Sequence, residues 1–281
     1  MTVSRIGFAV NPTKPDALEL LGRATAWCED HGIGTWWAPA AETSALVEAL
    51  PGTDVLVVLG GDGTFLRAAT SVAAVDVPIL GVNLGKVGFL SKAEGHRLEP
   101  IFEHLHLGRY RVEERMLLQA SVLPGGQPDG LPPTIALNDV VVARGSLARV
   151  CHLEVGIDES HLATFIADGL VVASPTGSTG YSFSAGGPIL DPRSRNLIVT
   201  PIAAYLSTIR AVVVSTDQVV RCRVVAAHEA LVSVDGWQDR PLVAGDVVEV
   251  RALERPIRLL EPEGAQPFWD LLREKVELLP R

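Results

Sequence analysis

Residues 59–64, Leu-Gly-Gly-Asp-Gly-Thr, constrain this chain more tightly than any other stretch, because they set three glycines and one carboxylate between two regular elements. Before them, residues 54–59 (DVLVVL) are nearly continuous in branched aliphatics, the pattern of a strand buried on both faces of a parallel sheet. After them, residues 64–71 (TFLRAATS) have helical apolar spacing, with Thr64 as the expected N-cap. A glycine turn in that position brings the N–H groups of Gly61 and Gly63 up to an anion, and the helix N-terminus adds favourable potential for phosphate. Asp62 then needs a task. An unpaired carboxylate would repel phosphate, so it either holds a cation or accepts a proton from an attacking hydroxyl.

The flanking sequence alternates strand and helix. Strands are expected at 5–10, 34–37, 54–59 and 78–83, and helices at 16–31, 43–50, 64–71 and 98–107, with Leu18, Leu21, Ala24 and Cys28 on the buried face of the first. Alternation of this kind implies right-handed crossovers and a Rossmann-like parallel α/β domain over residues 1–110. Ligands of open parallel sheets collect at the carboxyl ends of the strands, so the loops at 11–15, 60–64 and 84–90 are expected to share one edge.

From residue 111 the grammar changes to short β-branched segments separated by turns, at 117–123, 135–143, 150–157, 170–173, 197–200, 211–214, 219–225, 231–234 and 247–250. These predict a β-rich domain over 111–262. Residues 125–133 read as a solvated hairpin connection. A last amphipathic helix is expected within 263–281, packing back on the α/β domain.

Composition narrows the partners. The 281 residues are 47% hydrophobic, enough for a sizeable core, and the formal net charge of −9 argues against a nucleic-acid or anionic-membrane surface. No apolar run approaches the roughly 18 residues of a membrane span, and the N-terminus lacks the pattern of a secretory signal, so a cytoplasmic protein is expected. Cys28, Cys151 and Cys222 lie far apart, which favours reduced, buried thiols. His104 and His106 stand two apart and share no helix face, so a metal site there is not expected; Glu113 and Glu114 read as a solvated face.

A second stretch, residues 168–188 (DGLVVASPTGSTGYSFSAGGP), follows a buried strand with a dense run of hydroxyls: Ser174, Thr176, Ser178 and Thr179, interleaved with Gly177 and Gly180. Such a run either binds phosphate or ribose oxygens or is a turn cluster. Asn138-Asp139 interrupts an apolar strand, as a polar contact or as a strand-end bulge, and Asp235-Gly236 has the chemistry of a hairpin turn.

Taken together and in this order, GGDGT at 60–64, NLGKVGFL at 83–90, Asn138-Asp139, DGLVVASPTGSTGYSFS at 168–184 and Asp235-Gly236 resemble the NAD kinase family across nearly the whole chain. GGDGT alone is shared with lipid kinases and phosphofructokinases; joined to the 168–184 run it is specific. The resemblance implies an N-terminal α/β domain, a C-terminal β domain, a site in the cleft between them, and a homodimer or homotetramer. It implies ATP as phosphoryl donor, Mg²⁺ or another divalent ion, and NAD as acceptor. By position it makes Asp62 the proton acceptor and assigns Gly61, Gly63, Asn138, Asp139, Arg149, Asp168, Thr179, Gly180, Tyr181, Ser182, Phe183 and Ser184 to substrate binding, with Tyr181 able to stack on a base. Arg149 reads equally as an exposed strand arginine. The chain departs from the family pattern at Ala204-Tyr205, Arg210-Ala211 and Trp237-Gln238. Those departures favour one alternative, a kinase of the same fold with another nucleoside, nucleotide or polyol acceptor; against a second, a non-catalytic NADP(H)-binding sensor, stand the intact Asp62 and GGDGT loop.

Overall fold

The computed structural model describes residues 3–85, 87–128, 130–146 and 149–277, with backbone alone at 276 and 277. Lys86 of the expected 84–90 loop, Asp129 of the hairpin connection and the end of the 263–281 segment lie outside the described residues. Two compact units emerge, one running to Glu114 and resuming at Ile257, the other spanning Arg115–Pro256.

The first unit begins with β1 (Arg5–Val10), α1 (Pro15–Asp30), β2 (Gly34–Pro39), α2 (Thr43–Ala49), β3 (Val55–Leu59), α3 (Asp62–Val72) and β4 (Ile79–Asn83). It continues with β5 (Ala93–Glu94), α4 (Leu98–His106) and β6 (Tyr110–Arg115). Strands β1 to β4 are parallel, β1 pairing with both β2 and β3, and β3 with β4. The loops after β1, β3 and β4 therefore do leave from one edge. All five residues of β3 and all five of β4 are buried, which accounts for their unbroken apolar sequence. The buried face of α1 is Ala17, Leu21, Ala24 and Cys28 together with Leu20; Leu18, expected on that face, lies about 100° round from Ala17 and is exposed.

In the second unit, β7 (Leu118–Leu123), β8 (Thr134–Ala136), β9 (Asp139–Arg144), β10 (Cys151–Ile157), β11 (Ser160–Ala167) and β12 (Gly169–Ala173) precede a four-residue helical turn, α5 (Tyr181–Ser184). Then follow β13 (Asn196–Ile202), β14 (Val212–Ser215), β15 (Val220–Ala226), β16 (Ala230–Val234), β17 (Gln238–Leu242) and β18 (Val247–Ala252). These make two six-stranded antiparallel sheets, in the orders β11-β10-β15-β18-β7-β8 and β14-β13-β12-β9-β16-β17. Leu118, Leu153, Val224 and Val248 of one sheet and Leu170, Val172 and Val199 of the other fill a common core. The opposite face of the second sheet is covered as well, through Val141, Val171 and Ile198, so β12 is buried throughout. Cys151 and Cys222 are in the common core and Cys28 in the α/β core, all three as free thiols.

Beyond β5 and β6, which the sequence pattern does not predict, three strands differ from expectation for identifiable reasons. Strands β11 and β17 lie at sheet edges, where alternation is weakly enforced and Pro241 is tolerated within QDRPL. Residues 257–262, expected within the β-rich domain, form β19 (Ile257–Pro262), which runs parallel to β4 with Leu259 opposite Ile79 and belongs to the α/β unit. Its apolar pattern is broken by Glu261, whose charge is met by the buried Lys92 ammonium. Glu113 also approaches Lys92, at 3.8 Å, and is largely buried rather than solvated. The chain then enters α6 (Phe268–Glu277), where Phe268 meets Phe89 and Leu271 is buried. Among the described residues no helix is long and apolar enough to cross a membrane.

Candidate active site

In the α/β unit the site is built where β3 stops. The helix begins at Asp62, with Gly61 as its N-cap, three residues earlier than the expected Thr64 cap. The N–H groups of Thr64 and Phe65 already donate to Gly61 O, at 2.9 and 3.1 Å, which pulls Asp62 into the first helical turn. An acid there is favoured by the helix dipole. Its carboxylate is held from the far side of the glycine turn by the loop after β4. Phe89 N–H donates to Asp62 Oδ2 at 2.8 Å, and Leu90 and Ser91 N–H donate to Oδ1 at 3.2 and 3.0 Å. Two motifs widely separated in sequence thus converge on one side chain.

In the β-rich unit the polar cluster forms where β8 gives way to β9. The strand expected over 135–143 is interrupted at Leu137-Asn138, the strand-end alternative for this pair. The break is closed by Asp235, whose carboxylate accepts the N–H groups of Leu137, Asn138 and Asp139 at 2.8, 2.8 and 3.1 Å. Asp235 and Gly236 both have positive φ, 51° and 73°, as the turn from β16 to β17 demands. Burial, with the Asp235 charge nearby, pushes the Asp139 carboxyl up to about 7. Burial also raises Asp235, although its three backbone donors pull the other way.

The hydroxyl-rich run packs on this break. Gly177 lies so close to Asn138 that a Cβ there would fall 2.2 Å from Asn138 O. Most of its hydroxyls are committed to the fold. Ser174 Oγ donates to Leu137 O, Ser178 Oγ donates to Pro175 O at 2.7 Å and accepts Leu190 N–H, and Thr176 Oγ1 accepts from Arg115. Ser182, expected as a substrate contact, is fully buried with its hydroxyl 3.1 Å from that of Thr200. What remains outward is Thr179 and Gly180, half-buried, and the exposed Tyr181, Phe183 and Ser184.

Asp168 is placed elsewhere. It precedes β12 while Ser174 follows it, and the five-residue strand between them separates the two by roughly 20 Å. Its partner is Arg144, Nε to Oδ1 at 2.8 Å, a residue missed in the sequence because it closes an apolar strand. Arg149 is exposed and outside any regular element, and the two residues before it lie outside the described residues.

Residues 7–110 match the ATP-NAD kinase N-terminal domain and residues 137–261 the ATP-NAD kinase C-terminal domain. The NAD kinase of Heliobacterium modesticaldum is 40% identical to this chain over 97% of it and 98% of the relative, and that of Moorella thermoacetica is 40% identical over 98% and 90%. The chain belongs to the NAD kinase family. Its fold agrees: a crystal structure of yeast NADH kinase complexed with NADH superposes with a TM-score of 0.86 at 22% identity, covering 100% of this chain and 89% of that one. An NAD kinase from Archaeoglobus fulgidus in complex with ATP gives 0.75 at 24% identity, covering 99% of each. For an NAD kinase, the features invisible in the sequence are the amides of residues 89–91 and the Asp235 carboxylate. Their signals were present as glycine-spaced motifs, but backbone donors leave no side-chain signature and Asp235 reads as a turn residue.

Proposed function

We propose that this chain transfers the γ-phosphoryl group of ATP to the 2′-hydroxyl of the adenosine ribose of NAD, with Asp62 as proton acceptor. Phosphoryl transfer from ATP to NAD, giving NADP, follows from family membership; the proposal concerns which residues do it. The observation that carries it is Asp62 in the first turn of α3, its carboxylate oriented by three N–H donors. A carboxylate has about four acceptor positions, so one stays open for a hydroxyl proton. As the hydroxyl oxygen attacks phosphorus in line, the bond to the β–γ bridging oxygen breaks, ADP leaves and the proton passes to Asp62. The amides of Gly61 and Gly63 orient the phosphates at a helix end whose N–H groups have no intrahelical acceptors.

Asn138, Asp139, Thr179, Gly180 and Ser184 are read as contacts to the adenosine portion, with the exposed rings of Tyr181 and Phe183 available for stacking on a base. Asp168, oriented by Arg144, is assigned to the part of the dinucleotide away from the reacting ribose, and Arg149 to a basic rim contact. Mg²⁺ or another divalent ion would accompany the ATP phosphates. When bound it offsets the phosphate charge. A homodimer or homotetramer in the cytoplasm, without nucleic-acid or membrane partners, completes the reading.

Purified protein supplied with ATP, Mg²⁺ and NAD should form NADP, followed by NADP-specific detection. ATP turnover only with another acceptor, or NADP(H) binding without turnover, contradicts the reading in favour of the two alternatives.

A further inference from the structure

The backbone that holds Asp62 is itself held by the last helix. Phe89, whose N–H donates to Asp62 Oδ2, carries a half-buried ring lying 5.8 Å from the Phe268 ring and 5.4 Å from Lys275 Nζ. Phe268 and Lys275 are seven apart, two turns of α6 and hence one helix face. Leu271, between them, is 2% exposed, which pins that face to the unit. Phe268 is braced further by Trp269, edge-on at 4.9 Å. On the other side, Gly88 sits too close to Asp62 for the loop to move inward. The 88–91 backbone is therefore fixed between the carboxylate and α6.

We infer that α6 is a positioning element for phosphoryl transfer. Phe268 and Lys275 fix the Phe89 ring, the ring fixes the register of the 89–91 amides, and those amides set the direction of the open lone pair on Asp62. This rests on the reading of Asp62 as proton acceptor. A base works only within hydrogen-bond reach of its proton, and a misplacement of about 1 Å costs on the order of 10² in rate. The linkage is aimed at the Asp62 carboxylate, so its loss is expected in kcat rather than in KM for NAD.

The test is steady-state kinetics on the full chain for Phe268→Ala, Phe268→Tyr and Lys275→Met, each also combined with Asp62→Asn. Phe268→Ala is expected to lower kcat about tenfold or more with KM for NAD within about twofold. Phe268→Tyr keeps the ring and restores most of the rate. In the Asp62→Asn background Phe268→Ala adds no further loss, because its effect runs through that carboxylate. Lys275→Met, which removes only the cation over the ring, gives a smaller kcat loss with the same dependence on Asp62, and carries the test if the alanine variant does not fold. Unchanged kcat in Phe268→Ala, an equal loss in both backgrounds, or a raised KM with kcat kept overturns the proposal. Near-normal turnover of Asp62→Asn alone overturns instead the assignment of the base, and the proposal with it.

Discussion

Gly88 lies against Asp62 so closely that a Cβ on it would fall 2.0 Å from Oδ1 and 2.5 Å from Cγ. The added atom is fixed to the backbone and cannot itself turn away. Either the carboxylate or the loop must move. Gly88→Ala should therefore mimic loss of the base, lowering kcat by about 10² to 10⁴ with a smaller change in KM for NAD. Steady-state kinetics checks it; a variant with native kcat would show that the 88–91 loop does not orient Asp62.

Asp139 gives a pH signature. Its folded carboxyl is raised to about 7 from 3.8, so between those values the folded chain binds the extra proton. Stability contributed at this site is then full at low pH, falls as pH rises, and is lowest above about 7. Asp139→Asn removes that cost, and should raise Tm relative to the parent more at pH 8 than at pH 4. Thermal melts across that range decide it, and a gain confined to low pH would contradict the origin of the shift in burial.

Glu261 works in the opposite sense. Burial tends to raise its carboxyl, but the Lys92 ammonium, together with Glu113 and Arg111, holds it below 4.5. The stabilisation is present above that value and is lost as pH falls through the lowered one. Glu261→Gln leaves the buried Lys92 with only the more distant Glu113 carboxylate, at 3.8 Å, which should cost stability by up to about 3–5 kcal/mol. Denaturant unfolding at pH 7 measures this, and the variant should also lose part of the parent's acid sensitivity.

How far the fold was legible depends on where each residue's partner lies. The buried strands Val55–Leu59 and Ile79–Asn83 and the glycine turn between β3 and α3 declare themselves locally, through composition and period. Strand Ile257–Pro262 does not, because the groups that make it a strand, Ile79 opposite Leu259 and Lys92 beside Glu261, are remote in sequence. The same holds at the site. Asp62, Asn138 and Asp139 were visible as polar residues in apolar surroundings, whereas the clamp on Asp62 consists of main-chain amides, and Ser182 could not be told from an outward hydroxyl until Thr200 was placed beside it.

The Arg144–Asp168 pair should separate binding from chemistry. With Asp168 remote along β12 from the 174–184 run, Arg144→Ala and Asp168→Asn should each raise KM for NAD about tenfold, the order expected for a charge-assisted hydrogen bond, and leave kcat largely intact. Loss of kcat at constant KM would place Asp168 in the chemical step.

The central claim is that Asp62 accepts the proton of the ribose hydroxyl, and the turnover of Asp62→Asn tests it most directly. The substitution keeps the shape of the side chain and one acceptor oxygen for the 89–91 amides while removing the base. The account predicts a kcat lower by about 10² to 10⁴ with NAD affinity nearly unchanged. Near-normal kcat in that variant would contradict it.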